Sequence, residues 1–176
     1  MTIHSEHPFA DPDPDPVRQF RGRLGGRVSL WTAGQTDGDE DGRAGLTVSS
    51  LMIAAGQPSQ VLALLDPDSD LAAVLEETGR AVVQLLDWRH RDLADMFAGL
   101  TPAPGGAFSQ TTWKQTDWGP VLKDVDVWAG VSLGTPRFPR STTVGWSWLV
   151  AGVVEELRVG DESDPLLHRR GRYLRP

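Results

Sequence analysis

Short segments that alternate apolar and polar residues dominate the sequence, and clusters of glycine, aspartate, proline and serine separate them. Examples are RVSLWTA at 27–33, LTVSSLMIA at 46–54 and VDVWAGVSL at 125–133. Successive side chains of a strand point to opposite faces, so this alternation predicts strands with one buried face. The chain offers six or more such segments and only two short helical ones. We therefore predict a mainly β fold, a barrel with helices that plug or flank it.

The first two extended segments, which flank the polar stretch GQTDGDEDGRAG, predict a hairpin. QVLALL at 60–65 and RAVVQLL at 80–86 are apolar runs without helical period and predict buried strands. The stretch 101–120 is rich in glycine, proline and threonine and predicts a long loop. Two long β segments, 125–133 and 143–159, follow it on either side of the bend TPRFPRS.

Two short helices are indicated by apolar spacing and by residues that favour helix ends. In the first, Leu71, Val74 and Leu75 share one face, with Ser69 or Asp68 as the N-cap and Gly79 at the end. The second has Asp87 as its cap, has Gly99 just past its end, and places three apolar residues on one face: Leu93, Met96 and Phe97.

Charge and composition narrow the functional classes. The formal net charge of −7 has the wrong sign for a protein that binds nucleic acid. No cysteine is present, which excludes disulfides and thiolate chemistry. No stretch approaches the roughly 18 apolar residues of a membrane helix, and the N-terminus does not resemble a signal peptide, so we expect no membrane partner and a cytoplasmic location. Residues 1–17 predict a mobile arm, and 18–176 predict one domain.

The sequence lacks the motifs of several common ligand and metal sites. Residues 37–42 match the first half of a calcium loop, but Val48 stands where its glutamate ligand belongs, so we expect a solvated hairpin tip and no metal site. Neither common phosphate-binding glycine motif occurs. His90 lies among charged residues and predicts an exposed helix face. His168 is the histidine with the best claim to a functional role, although a lone histidine more often serves packing.

Two polar segments could bind a ligand. The segment 45–50, GLTVSS, places three hydroxyl side chains next to a glycine, where they could meet a phosphate or a carbonyl; the alternative is the solvent face of a strand. The C-terminal region carries four arginines in eight residues, at 169, 170, 172 and 175. Arginine pairs well with phosphate, and the alternative is a solvated charge run.

Taken in order, these segments resemble the flavin reductase-like family, the FMN-binding split β-barrels that act as reductase components of two-component monooxygenases. The resemblance runs from about Arg21 to Tyr173 through DGRAGLTVSSL, RDLADMFAG, WGPVLKDVDVWAGVSL and DPLLHRRGRY. It implies a six-stranded barrel that forms a homodimer. It further implies FMN or FAD as the flavin, NADH or NADPH as the reductant, and a partner flavin-dependent monooxygenase.

The resemblance implies that residues matching the family's motifs bind the flavin or the nucleotide. Thr47, Val48, Ser49 and Ser50 match the Thr-x-Ser-Ser motif that meets the flavin ring edge and ribityl phosphate. Ser69 matches the serine that opens the helix after the third strand, where a phosphate is bound. The remaining cofactor-binding candidates lie in the loop and near the C-terminal Gly-x-Tyr: Phe108, His168, Arg170 and Tyr173. The resemblance assigns no catalytic residue.

Two positions depart from the family pattern. Three aspartates, Asp66, Asp68 and Asp70, surround the expected phosphate site and would repel it. In addition, Ser147 stands where reductases carry a histidine in a Gly-Asp-His step. The neighbours Trp146 and Trp148 are predicted to share one strand face, where they either stack on a planar ring or pack at a surface.

Three functions follow from the sequence. The first is an NAD(P)H-dependent flavin reductase that supplies a monooxygenase. The second is a non-catalytic split barrel that binds flavin, deazaflavin or heme as a carrier or sensor, which the two departures favour. The third is a dimer without a small ligand, with tryptophans in the interface. The sequence does not distinguish NADH from NADPH, although the C-terminal arginines suit a 2′-phosphate.

Overall fold

The computed structural model describes residues 23–37, 40–134, 141–161 and 164–176, together with Val17 and Phe20. These residues form the strands β1 (Gly26–Arg27), β2 (Ser29–Ala33), β3 (Thr36–Asp37), β4 (Glu40–Asp41), β5 (Ala44–Val48), β6 (Leu51–Ala54), β7 (Gln60–Leu65), β8 (Arg80–Leu85), β9 (Trp113–Thr116), β10 (Gly119–Leu122), β11 (Val127–Leu133), β12 (Ser141–Val144), β13 (Ser147–Val159), β14 (Leu167–Arg169) and β15 (Arg172–Leu174). The helices are α1 (Asp70–Thr78) and α2 (Arg91–Phe97), and two 3-10 helices span Trp88–His90 and Ala107–Gln110.

The main sheet is antiparallel and curls into a barrel. Its strand order is β5-β2-β8-β11-β13-β7-β6, and β12 pairs with β13 outside this path. β5 and β6 follow each other in the chain with only Ser49 and Ser50 between them, so they act as one bent strand. Its first half pairs with β2 and its second half with β7. This bent strand joins the two edges of the sheet and confirms the predicted mainly β barrel.

Two apolar clusters fill the fold. The first lies inside the barrel and includes Trp31, Leu65 and Val131. The second lies outside β2 and β8 and includes Leu30 and Val82. Because Leu30 and Trp31 are neighbours on β2 and both are fully buried, this strand is covered on both faces.

Helix α1 confirms the predicted caps and plugs the barrel. The side chain of Ser69 accepts a hydrogen bond from the Ala72 N–H at 3.2 Å, as an N-cap does. At the other end, Gly79 has φ +64° and its N–H donates to the Leu75 carbonyl. Two apolar residues of the helix, Leu71 and Leu75, are buried in the cluster inside the barrel.

Helix α2 begins later than predicted. Asp87 is the N-cap of the 3-10 turn Trp88–His90, and the α-helix starts only at Arg91. The prediction that His90 lies on an exposed charged face is wrong, because its side chain is buried. Its Nε2 lies 3.1 Å from the Asp124 carboxylate, 34 residues further along the chain.

The predicted long loop at 101–120 is wrong in its second half, where β9 and β10 form a hairpin. Gln84, which is fully buried on β8, holds this hairpin to the barrel. Its side-chain oxygen accepts from the Leu122 N–H at 2.7 Å, and its amide donates to Thr32 Oγ1 at 3.0 Å. Buried polar groups need such partners, so the sheet fixes this segment.

The predicted strand 143–159 is interrupted by a tight turn at Gly145 and Trp146. Gly145 takes φ +58°, a conformation that favours glycine. The two tryptophans therefore do not share a strand face: Trp146 lies in the turn and is exposed, whereas Trp148 pairs with Leu65 in the sheet.

Three sequence predictions fall wholly or partly outside the described residues. They are the N-terminal arm apart from Val17, the aspartate-rich hairpin tip at 38–39 and the bend at 135–140. No helix in the described part of the chain has the length and apolar character needed to span a bilayer.

Candidate functional site

The bend between β5 and β6 forms the centre of the candidate site. Thr47 Oγ1 donates a hydrogen bond to the Ala94 carbonyl of α2 at 2.7 Å. The next residue, Val48, is buried in the barrel, and its carbonyl accepts a hydrogen bond from Ser29 Oγ at 2.7 Å. Of the four predicted motif residues, these two are thus tied to the helix and to the neighbouring strand.

The other two motif residues lie on the bend itself. Ser50 Oγ donates to the Leu64 carbonyl at 2.8 Å and accepts from the Leu64 N–H at 3.1 Å. The Ser50 side chain therefore takes the place of backbone hydrogen bonds to Leu64 at the point where the strand stops pairing with β2 and begins to pair with β7. Ser49 is exposed, and a Cβ at Gly26 would lie 3.2 Å from its carbonyl oxygen. Glycine at this position lets β1 approach the bend closely.

The C-terminal hairpin lies against the bend through β1. Gly26 pairs with His168, and His168 pairs with Tyr173 across the hairpin. The two rings meet edge to face with centroids 5.8 Å apart. At the tip, Gly171 and Arg170 have φ values of +73° and +54°, and both are exposed. The structure thus brings His168 and Tyr173 next to the bend and leaves Arg170 at the outer turn.

Tyr173 is anchored to α2. Its phenol interacts with the Asp95 carboxylate, and burial together with this carboxylate raises the pKa of the phenol well above its usual range. Asp95 directly follows Ala94, which receives the Thr47 hydrogen bond. Two successive residues of one helix therefore hold the bend and the hairpin. Asp95 was not predicted as a site residue, because a single carboxylate on a helix carries no local signal of its partner.

Phe108 lies beside α2 in an aromatic cluster. Its ring centroid is 5.0 Å from that of Phe97 and 4.9 Å from that of Trp113. The Arg43 guanidinium lies over the Phe108 ring, 4.6 Å from its centroid. Because Arg43 directly precedes β5, this cluster borders the strand that carries Thr47.

Ser69 lies on the other side of the bend, in the turn between β7 and α1. The two hydrogen bonds of Ser50 with Leu64 bring the end of β7 to the bend. Trp148 pairs with Leu65, so the β12–β13 turn also reaches this end of the sheet. The acidic turn and Ser147, the two departures from the family pattern, are therefore neighbours in the fold.

The two sides of the bend carry opposite charges. The β14–β15 hairpin presents three exposed arginines, at 169, 170 and 172. On the other side, Asp68 and Asp70 are exposed and Asp66 is half-buried. A ligand that spans the bend would meet cations at one end and carboxylates at the other.

A separate groove of about 280 Å³ lies beside His90, and its lining includes Arg89, Met96, Gln110 and Asp124. His90 Nδ1 accepts the Asp87 N–H at 3.0 Å, so the neutral ring carries its proton on Nε2 and donates it to Asp124. Both ring nitrogens are used, which indicates a structural role. Within the described residues, no cluster of three or more histidine or acidic side chains could hold a metal ion.

Known proteins resemble this chain over most of its length. The reductase component of 4-hydroxyphenylacetate 3-monooxygenase from Pseudomonas aeruginosa is 23% identical over 128 residues, which cover 72% of this chain and 73% of that protein.

Two solved structures share the fold. The flavin reductase of styrene monooxygenase from Pseudomonas putida S12 superposes with a TM-score of 0.76 at 18% identity, over 92% of this chain and 97% of that one. An NADH:FAD oxidoreductase from Streptomyces globisporus gives 0.77 at 20% identity, over 93% and 95%. Both likenesses confirm the predicted split-barrel fold.

The family model described as "Flavin reductase like domain" matches residues 21–175. This match spans both sides of the bend, from the segment before β1 to the C-terminal hairpin. It confirms the family that the sequence motifs indicated: the chain belongs to the flavin reductase-like family.

Proposed function

We propose that the protein is an NAD(P)H-dependent flavin reductase that reduces FMN or FAD and supplies the reduced flavin to a partner monooxygenase. The observation that carries this proposal is the convergence of two distant motifs on helix α2. Thr47 donates to Ala94, and the next residue, Asp95, holds Tyr173. Residues 126 positions apart in the chain are thereby held at one place.

The bend and the hairpin have different roles in this proposal. A bound flavin supplies the ring that accepts hydride from the nicotinamide nucleotide. The backbone at Ser49, which is exposed, and at Ser50, which is half-buried, follows the edge of that ring, while the hydroxyls of Thr47 and Ser50 keep the bend rigid through their own hydrogen bonds. Rigid positioning is the main contribution that a protein makes to such a transfer.

The arginine-bearing hairpin is the side that suits the nicotinamide nucleotide. Its guanidinium groups are exposed, and arginine binds phosphate oxygens in a bidentate manner. His168 and Arg170 belong to this side and are candidates for contacts with the nucleotide. The choice between NADH and NADPH then depends on whether one of these arginines meets a 2′-phosphate.

A second function, a carrier or sensor without turnover, is favoured by the residues near the other side of the bend. Ser147 stands where related reductases carry a histidine, and its neighbour Trp148 pairs with Leu65, one residue before Asp66. Serine cannot act as a base near neutral pH. In this alternative the barrel holds a flavin, deazaflavin or heme and passes it on unchanged.

We also propose a cytoplasmic homodimer. β6 is the outermost strand of the sheet order and exposes Met52 and Ile53 by 62% and 59%, with Leu64 of β7 exposed by 39%. Adjacent exposed apolar side chains favour a protein interface. The second copy is the expected partner, and light scattering of the purified protein should give twice the monomer mass.

The deciding experiment measures NADH and NADPH oxidation by the purified protein while FMN or FAD is titrated. Saturable, flavin-dependent oxidation is expected. The variant Thr47→Val should lower kcat/KM for flavin by roughly fivefold, since one lost hydrogen bond of about 1 kcal/mol loosens the bend. Thr142→Val on the exposed face of β12 is the matched control and should leave kcat/KM unchanged.

The same assay separates the alternatives. Flavin that quenches tryptophan fluorescence without any nucleotide oxidation would support the carrier and contradict the reductase. Absence of both quenching and oxidation would contradict both proposals and favour a dimer without a small ligand.

A further inference from the structure

We infer that a second copy of the chain pairs with the end of β13, so that the sheets of the two copies become continuous. This inference rests on the homodimer included in the proposed function and specifies the contact that holds it. It starts from the last five residues of β13, 155–159, which we call the β13 edge segment. All five are exposed, although they belong to a strand of the main sheet.

The β13 edge segment is paired on one side only. β11 pairs with residues 156–159 through its own residues 127–130. On the opposite side, β7 pairs with β13 only up to Val153, and the Val154 N–H then donates to the Ser59 carbonyl at 3.0 Å. Within the described residues, no strand continues along this side of the segment. An unpaired strand edge is a template for a strand of another chain.

The sequence of the segment, EELRV, alternates in the way that is typical of a strand with one buried face. Leu157 and Val159 lie on one face of the strand, and Glu156 and Arg158 lie on the other. In the single chain the apolar face is not covered, since Leu157 is exposed by 61% and Val159 by 72%. Adjacent exposed apolar side chains favour a protein interface, so this face indicates burial by a second chain.

The backbone of Leu157 faces the unpaired side. The Gly160 N–H donates at 3.0 Å to the carbonyl of Asp126, the residue before β11. Because the direction of hydrogen bonding alternates along an antiparallel strand, the N–H and carbonyl of Arg158 also point toward β11, and those of Leu157 point away from it. Leu157 thus offers one donor and one acceptor to an added strand.

Charge selects a second copy as the occupant of this edge. Two identical antiparallel strands are related by a two-fold axis, as the subunits of a homodimer are. With the axis at Leu157, the two Leu157 residues exchange both backbone hydrogen bonds, and Glu156 lies opposite Arg158 of the second copy. The same pair recurs on the other side of the axis. The segment is therefore complementary to itself, with an opposite charge across each of these positions.

The β13 edge segment adjoins the strands that expose the apolar face of the proposed homodimer. Ser59, which accepts the Val154 N–H at the start of the segment, lies in the turn between β6 and β7. A strand added to the segment therefore lies beside that turn, on the side of β13 from which β7 and β6 extend. One second copy accounts for both exposed surfaces.

Two charge variants test the pairing. Arg158→Glu sets a like charge opposite Glu156, and Glu156→Arg sets a like charge opposite Arg158. Each variant should raise the dissociation constant of the dimer by roughly tenfold or more. Sedimentation velocity of the full chain over a range of concentrations gives this constant. Lys114→Glu, the same change of charge at an exposed position of β9, is the matched control and should leave the constant unchanged.

A mixture of the two variants distinguishes a contact between chains from an effect within one chain. One variant carries two anions at the paired positions and the other carries two cations, so they complement each other across the two-fold axis. An equimolar mixture should return to the dimer mass at concentrations where each variant alone is monomeric. A mixture that stays monomeric would overturn the pairing, and so would single variants that dimerise as tightly as the wild type.

The outcomes separate this inference from the function on which it rests. A wild-type chain that is monomeric at all concentrations would overturn the homodimer and the inference together, and would leave the edge to a strand of another protein. A dimer that is lost in Met52→Ser but kept in both charge variants would support the homodimer and overturn the inference. NADH oxidation by the wild-type protein with titrated flavin decides the reductase activity separately.

Discussion

The two sides of the bend are built in different ways. On the side of α2 and the hairpin, every anchoring contact joins segments far apart in the chain: Thr47 with Ala94, Asp95 with Tyr173, and Gly26 with His168. In the turn before α1, the hydrogen bonds of the Asp68 N–H and of the Ser69 hydroxyl join residues two or three positions apart.

This difference indicates which side of the bend the fold holds more rigidly. Long-range contacts exist only in the folded chain, so the α2 side is fixed together with the barrel and suits a ligand that must be held rigidly. Local contacts satisfy a turn whatever lies next to it. The α2 side is therefore where substitutions should disturb binding most.

The largest effect is expected when α2 is pushed away from β5. Gly45 on β5 lies under Phe97, and a Cβ at this position would lie 2.6 Å from Phe97 Cε1. Gly45→Ala should therefore destabilise the protein by about 1–3 kcal/mol, as overpacking does, and weaken flavin binding because Thr47 loses its register with Ala94. Thermal unfolding and fluorescence quenching measure the two effects.

A second substitution shows whether the clash with Phe97 causes the loss of stability in Gly45→Ala. Phe97→Leu makes room for the new methyl group, so Gly45→Ala with Phe97→Leu should cost less than the sum of the two single variants. Strict additivity would mean that Gly45 acts through the backbone of β5 and not through its contact with the helix.

A smaller effect is expected on the local side. Ser69→Ala removes the N-cap of α1 and should lower the free energy of unfolding by about 1 kcal/mol. Ser69→Asp, which restores a capping oxygen, should recover most of that loss. Chemical denaturation gives both values.

The same variants sharpen the contrast between the two sides. Because the cap acts within its own turn, Ser69→Ala should leave the alkaline titration of Tyr173 on the other side unchanged. A shifted titration would show that the two sides are coupled and that the acidic turn is not self-contained.

Local patterns predicted much of this architecture. α1 lies between its predicted N-cap Ser69 and end Gly79, and β7 matches QVLALL residue for residue, since caps and short apolar runs are properties of the local sequence. The strand partners of the Thr47–Ser50 motif could not be predicted from the local sequence. Nothing within that motif shows that the chain leaves β2 and joins β7 at Ser50.

The errors arose where distant residues decide the structure. His90 is buried because Asp124 meets its Nε2, and the β9–β10 hairpin exists because Gln84 holds Leu122 from inside the fold. Asp95 was missed as the partner of Tyr173 for the same reason. The turn at Gly145 did carry a local signal, since glycine inside an alternating segment favours a break.

The smallest effect on stability at neutral pH is expected from Tyr173, the single tyrosine of the chain. Its ionisation is also the most direct probe of the α2 side. Its pKa is raised above the ordinary value of 10 because the phenol is partly buried beside Asp95. In the unfolded chain the phenol ionises near pH 10, whereas in the folded protein it keeps its proton. The unfolded state then binds fewer protons, so stability should fall as pH rises above 10.

Ultraviolet absorbance of the phenolate follows this single group without interference from other tyrosines. Asp95→Asn removes the charge that opposes ionisation and should move the titration to lower pH. Tyr173→Phe should abolish the part of the alkaline loss of stability that this phenol causes. A wild-type titration at the ordinary value would contradict the contact between Asp95 and Tyr173, and with it the anchoring of the hairpin that separates this side of the bend from the other.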